Sequence, residues 1–207
     1  MGMTPERTDR LMDVLRHRQQ DLTVLMENVF DPHNISAVMR TCDAVGIQEI
    51  YILNDRIAPH KKWGQKSSST AAQWLSIHQY TDADRCFEDL RKKFPRILCS
   101  YLGNPAQDLY ELDFSGPVAL VFGNETDGVS PEVRRRCDGD FLIPQVGIIR
   151  SLNISVACAV TLYEAFRQKR IAGHYRQARL SAADLQALQR DWGILPAVPG
   201  EGPGPGS

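Results

Sequence analysis

The sequence predicts an α/β protein: a mostly parallel sheet with helices on both faces. Three observations carry that expectation. Short apolar and β-branched runs (LTVLM at 22–26, EIYIL at 49–53, RILCSY at 96–101, PVALVF at 117–122) alternate with stretches of helical periodicity, which is the pattern of strand–helix–strand units. PVALVF is apolar at nearly every position, as a strand covered on both faces requires. Residues 141–166, FLIPQVGIIRSLNISVACAVTLYEAF, read as a buried strand, a loop with Gly147 at its centre, and a long helix capped by Ser151 with Asn153 in its first turn. A strand, a tight loop and a helix N-terminus with polar groups among apolar ones is where α/β proteins usually hold a ligand.

In chain order, Thr4-Pro5 is an N-cap followed by proline at the first helical position, and Leu11, Val14 and Leu15 give that first helix a narrow apolar stripe opposite a basic face. After the 22–26 strand, residues 34–45 read as a helix, because Ile35, Val38, Met39, Cys42 and Val45 fall on one face. Gly46 is its stop. Strand 49–53 leads into a long polar segment, 54–73, which contains His60, Lys61, Lys62, Lys66 and a serine run. A loop of that length in a compact domain points to function. A helix follows at 82–93, then strands 96–101 and 117–122. Ser130-Pro131-Glu132 opens a short helix, and Ser181 with Asp184 forms a capping-box-like start to a last helix ending near Trp192. From Pro196 the chain is too rich in proline and glycine to bury a core, which predicts disorder over 196–207.

Composition narrows the class. The 207 residues are 43% hydrophobic and 24% charged, ordinary values for a soluble globular domain. No apolar run reaches the roughly 18 residues of a membrane span, and the charged N-terminus predicts no signal peptide. Five cysteines without C-x-x-C spacing give neither a disulfide framework nor a zinc pattern, which predicts reduced thiols, a cytoplasmic location and no metal. No glycine-rich dinucleotide or P-loop fingerprint is present. The net charge of −1 hides an asymmetry. Arg7, Arg10, Arg16, His17 and Arg18 cluster at one end, and Arg167, Lys169, Arg170, His174, Arg176 and Arg179 near the other. These form one electrostatic footprint if the ends meet in space, and are otherwise solvated helix faces.

Three polar constellations stand out. Asn34 and Arg40 lie about 1.7 turns apart on one helix. Asn124 and Glu125 follow the buried 117–122 strand, where a carboxylate at the C-terminal end of a parallel strand meets a ligand. Ser151 and Asn153 sit at the start of the long helix, and the amide of Asn153 must be satisfied if buried. Each also has a plain structural explanation: an arginine at a helix edge, a turn residue, a cap.

Together and in this order, NISAVMRTCDAVG (34–46), VALVFGNETDGVS (118–130) and LIPQVGIIRSLNISVACAV (142–160) resemble the three signature motifs of the SPOUT-class RNA 2′-O-ribose methyltransferases. The third, with I-P, G and S-L-N-I-S-V-A, is highly specific. The resemblance runs from about residue 5 to 192, taking in the N-terminal basic helix and YEAFRQKRIAGHY near the C-terminus. Within the class, this layout is similar to the tRNA methyltransferases that act on guanosine 18 of the D-loop.

The resemblance implies a SPOUT-type fold with a deep trefoil knot in the C-terminal part of the sheet. It implies a division into an N-terminal basic helical extension (1–20), a methyltransferase domain (21–172), a C-terminal helical extension (173–195) and a tail (196–207). It also implies S-adenosylmethionine bent into the knotted loops, held largely by backbone groups at Ser100, Leu102, Gly123, Ile143, Gly147 and Leu152. A homodimer would complete the site across its interface, with no metal. Arg40 would activate the 2′-hydroxyl, either as base or as electrostatic stabiliser of the alkoxide. A guanidinium with a pKa above about 12 favours the second role. Asn34 would orient Arg40 or the ribose, and Glu125, Ser151 and Asn153 would complete the pocket. Arg7, Arg10, Arg18, Arg167, Lys169 and Arg170 are candidate contacts to tRNA phosphates. The 54–73 loop, with Gly64 early and a serine run, departs from the family pattern and bears on nucleotide specificity. The alternatives are a ribosomal-RNA or wobble-position enzyme of the same class, or a non-catalytic RNA-binding module. The basic ends and the absence of a separate N-terminal domain favour tRNA guanosine 18, and the intact polar set favours an enzyme.

Overall fold

The computed structural model describes residues 3–60, 71–103 and 105–196. Seven strands form one sheet: β1 (Leu22–Glu27), β2 (Glu49–Leu53), β3 (Ser76–Tyr80), β4 (Arg96–Ser100), β5 (Gln107–Asp108), β6 (Val118–Phe122) and β7 (Gly139–Leu142). Their order across the sheet is β3-β2-β1-β6-β4-β7-β5, with every neighbouring pair parallel. The helices are α1 (Pro5–Arg16), α2 (Pro32–Ala44), α3 (Ala83–Lys93), α4 (Pro131–Arg134), α5 (Ile154–Ile171) and α6 (Ala182–Asp191). The expected α/β architecture is the one observed.

Side-chain alternation explains the two layers. On β1, Val24 and Met26 face a core shared with Ile35, Val38 and Met39 of α2 and Cys158 and Leu162 of α5. Leu25 points the other way, into a core with Phe87 and Leu90 of α3 and Val133 of α4. β1 and β6 are buried at every position, as central strands of a doubly covered sheet must be. Each fully buried Leu or Val contributes about 1.5–3 kcal/mol of transfer free energy.

Several boundaries moved. α2 begins at Pro32, because Asp31 is its N-cap and accepts from His33 N at 2.8 Å. Gly46 does end the unit, at φ +83°, and a Cβ there would lie 2.7 Å from the carbonyl oxygen of His17. β7 spans Gly139–Leu142 instead of starting at Phe141, and Pro144 has no N–H with which to extend the ladder. The cap of α5 is Asn153, not Ser151: its side chain accepts from Ser155 N at 2.8 Å, so the helix opens at Ile154. Strand β3, SIHQY, gave no apolar run. It is an edge strand paired on one side only and therefore tolerates Ser, His and Gln. Residues 61–70, half of the long polar loop 54–73, and the tail beyond residue 196 lie outside the described residues.

The two ends of the chain do meet. Leu11 and Leu15 of α1 pack with Leu188 of α6 and with Trp192, its C-cap, in a separate small core. Two of the six residues expected to contact phosphates are spent here as internal struts. Arg18 is fully buried and donates to Asp43 Oδ1 at 2.6 Å and to the carbonyls of Ile47 (3.0 Å) and Trp74 (3.3 Å). Its guanidinium also lies 5.2 Å from the centre of the Trp192 ring. Lys169 is likewise fully buried, with Nζ 3.0 Å from Asp21 Oδ2 and 3.0 Å from the carbonyl of Gly116. His174 (3.0 Å) and Arg179 (3.4 Å) converge on the same Asp21 oxygen. A buried cation costs several kcal/mol unless paired, and these pairs offset that cost while fixing the ends to the sheet. Neither Arg18 nor Lys169 is presented to a phosphate.

Candidate active site

The sheet order decides where the site lies. β6 sits between β1 and β4, and β7 sits on the far side of β4. The loops leaving the C-terminal ends of these parallel strands are therefore neighbours, although they are spread over fifty residues of sequence. They enclose a cleft of about 530 Å³, lined by residues 100–102 after β4, 122–129 after β6, and Ile143, Gln145 and 150–154 after β7. That volume suits a small-molecule ligand.

The loop after β6 is built for close approach. A Cβ on Gly123 would fall 1.9 Å from the carbonyl carbon of Gly128, so only glycine fits. Gly128 takes φ +68° and bridges back to Asn124. The side-chain oxygen of Asn124 accepts from Thr126 N (2.8 Å) and Asp127 N (2.7 Å), which tightens the turn. From below, the buried Glu27 at the end of β1 accepts from Ser130 N at 2.8 Å. Burial raises the pKa of that carboxyl, and the bonds from Ser130 oppose the rise.

One hydrogen-bonded chain joins the three candidate constellations. Ser155 Oγ donates to Asn153 Oδ1 (2.6 Å), Asn153 Nδ2 donates to Asn34 Oδ1 (3.1 Å), and Asn34 Nδ2 donates to Glu125 Oε1 (2.5 Å). Both amides donate and accept at once, which fixes their orientation. Asn34 is in the first turn of α2, Glu125 follows β6, and Asn153 caps α5.

Of the expected cofactor contacts, Ser100, Leu102, Gly123, Ile143 and Leu152 line the cleft, as do Glu125, Ser151 and Asn153. Gly147 does not. It sits in the exposed stretch 146–150, with nothing within 4 Å of where its Cβ would be. Arg40 is also outside the lining. It is exposed on α2, makes no hydrogen bond or ion pair among the described residues, and lies about 9 Å along the helix and about 120° around it from Asn34. Arg7, Arg10 and Arg170 are exposed, and Arg167 is exposed but paired with Glu164 at 2.8 Å. Sequence reasoning passed over Asp127 and Arg150, which with Glu125 are the charged residues of the cleft lining. Their signal was their place within two residues of Glu125 and Ser151. It also passed over Arg134, whose guanidinium lies 3.5 Å from the Tyr101 ring centre and holds the loop after β4.

Exposed apolar groups follow the cleft residues in sequence. Val146, Ile148 and Ile149 project from the loop after β7, and Val156 and Tyr163 form a stripe on the outer side of α5. Among the described residues, no helix is long and apolar enough to cross a membrane.

A parallel α/β sheet with a small-molecule cleft built from the loops after three adjacent strands, polar groups converging on it, is an enzyme architecture. The chain belongs to the SpoU rRNA Methylase family, whose model matches residues 21–163. It is 40% identical over 189 residues to the tRNA (guanosine(18)-2′-O)-methyltransferase of Thermus thermophilus, covering 91% of this chain and 96% of that one. Its structure is similar to that of the A. aeolicus TrmH/SpoU tRNA modifying enzyme, with a TM-score of 0.84 and 35% identity over 91% of this chain and 95% of the other. It is also similar to the SpoU methyltransferase AviRb from Streptomyces viridochromogenes in complex with the cofactor AdoMet. There the TM-score is 0.67 and the identity 27%, over 75% of this chain and 63% of that one. These likenesses match the family expected from the three sequence motifs.

Proposed function

We propose that the protein methylates the 2′-oxygen of a ribose in tRNA, at guanosine 18 of the D-loop, using S-adenosylmethionine. The observation that carries this reading is the chain from Glu125 through Asn34 to Asn153, which ties the three motifs together at the mouth of the cleft. The cleft also fits the donor: its volume of about 530 Å³ suits a small molecule, and its lining offers Glu125 and Asp127 to a sulfonium cation.

When bound, S-adenosylmethionine supplies a methyl group activated by positively charged sulfur. A ribose hydroxyl is a weak nucleophile that must be activated as it attacks. Arg40 stabilises the developing alkoxide electrostatically, directly or through the adjacent phosphate. Asn34, locked by its two partners, orients the ribose, and Glu125, Ser151 and Asn153 shape the pocket that aligns it. Because Arg40 faces away from the cleft of its own chain, the partner subunit's Arg40 serves this site in a homodimer. The apolar stripe of Val156 and Tyr163 on α5 is the face that such a dimer buries. The deep C-terminal knot belongs to this reading, as do a cytoplasmic location and the division into extensions around residues 21–172.

The exposed Arg7, Arg10, Arg167 and Arg170 contact tRNA phosphates, which makes binding salt-sensitive. The alternative within the family is a ribosomal-RNA substrate. The two basic stretches lie side by side, with Gln19 Nε2 donating to the carbonyl of His174 at 3.4 Å, and this favours tRNA. The test is transfer of labelled methyl to unmodified tRNA, with Arg40→Ala as control. The reading expects incorporation by the unaltered protein and a loss of at least about a hundredfold in the variant. Full activity of Arg40→Ala overturns the assigned role.

A further inference from the structure

Arg150 has no role in the reading above, yet it is the cation among the residues lining the cleft. Its backbone is braced, since Gln145 Nε2 donates to its carbonyl at 3.3 Å. Its guanidinium is exposed, with no hydrogen bond or ion pair among the described residues. Four positions further on, Ile154 opens the eighteen-residue helix α5, whose N-terminus carries partial positive charge. The loop after β6 contributes Glu125 and Asp127 to the same lining, with Glu125 linked through Asn34 to the Asn153 cap of α5. The lining thus holds two carboxylates and one guanidinium. At neutral pH a sulfonium amino acid carries the complementary set: two cations, the sulfonium and the ammonium, and one carboxylate.

We infer that Arg150 is a specificity-determining residue that binds the amino-acid carboxylate of the methyl donor. The inference rests on the proposed use of S-adenosylmethionine and adds to it the group that recognises the donor's anionic end. A guanidinium matches a carboxylate by paired N–H donors, and charge-assisted bonds of this kind are about twice as strong as neutral ones. An RNA phosphate is the other anion that could reach an exposed arginine. The charge count of the cleft favours the donor.

The test is calorimetric binding of S-adenosylmethionine and of decarboxylated S-adenosylmethionine, which keeps the sulfonium and lacks the carboxylate. Unaltered protein, Arg150→Ala and Arg150→Lys are compared, and tRNA affinity is measured for each. The expected result is roughly tenfold or greater preference of the unaltered protein for the carboxylated donor. Arg150→Ala loses that preference, Arg150→Lys keeps part of it, and tRNA affinity stays within about twofold for all three. Arg150→Ala retaining the full preference overturns the inference. So does weakened tRNA binding with unchanged donor affinity, which assigns the guanidinium to phosphate. Failure of the unaltered protein to bind either compound overturns the methyl-donor reading itself, and is thereby distinct from failure of the arginine assignment.

Discussion

Asn34 Nδ2 donates to Glu125 Oε1 at 2.5 Å, across 91 positions of sequence. The same amide accepts from Asn153. Asn34 is thus the middle link between the helix after β1, the loop after β6 and the helix after β7. Asn34→Ala breaks both contacts while leaving a half-exposed position on a helix that Ile35, Val38 and Met39 still anchor. The expected outcome is a fall in methyl transfer of about a hundredfold or more, with Tm within a few degrees and donor affinity within a few-fold. Steady-state kinetics with a melting curve on the same preparation checks it. A large drop in Tm would reassign Asn34 to structure.

Gly123→Ala tests the backbone cradle. A methyl group there meets Gly128 backbone at 1.9 Å, and no side chain can swing aside to relieve the contact. The loop must shift, at a cost of about 1–3 kcal/mol, and S-adenosylmethionine binding falls below detection by calorimetry. Unimpaired binding would show that this loop does not touch the donor.

The basic residues separate into two groups with opposite signatures. Arg18→Ala removes a buried cation from Asp43 and from beneath Trp192, and lowers stability by about 2–4 kcal/mol, or roughly 5–15 °C in Tm. Arg7→Ala and Arg10→Ala leave Tm unchanged and weaken tRNA binding, each reducing the slope of log affinity against log salt by about one. Melting curves and salt-titrated filter binding distinguish the groups. Loss of tRNA affinity in a fully stable Arg18→Ala would return that residue to the RNA surface.

Glu49 gives the protein an acid limb. Burial acts to raise its pKa, but His78 and Lys93, the latter with Nζ 2.7 Å from both carboxylate oxygens, bring it from its ordinary 4.5 down to about 2. A carboxyl held lower in the folded state adds stability above its unfolded value. That contribution, on the order of 2–3 kcal/mol, is lost as pH falls from about 4.5 towards 2. Glu49→Gln therefore flattens this part of the stability–pH curve measured by urea unfolding. An unchanged slope in the variant would place the acid sensitivity elsewhere.

The parts of this architecture written in local patterns were legible in the sequence. PVALVF announced a doubly covered strand and EIYIL a second strand, and Thr4-Pro5, Ser130-Pro131 and Ser181 with Asp184 marked helix starts that their hydrogen bonds bear out. The three motifs were visible one at a time, but their convergence depends on β6 inserting between β1 and β4, an order that no local pattern encodes. The misreadings have a common cause. Arg18 and Lys169 look like surface cations because their partners, Asp43 and Asp21, are distant in sequence. Ser151 looks like the cap because serine is a common one, whereas Asn153 takes that place by bonding Ser155 and Asn34 together. Arg150 and Asp127 gained meaning only once the cleft between their loops was visible.

The most direct measurement is mass-spectrometric mapping of tRNA after incubation with the protein and S-adenosylmethionine. The account predicts a single added methyl on the ribose of guanosine 18, formed about a hundredfold or more slowly by Asn34→Ala and Arg40→Ala. Methyl groups found on a base, or an unmodified D-loop together with ribose methylation of ribosomal RNA, would contradict it.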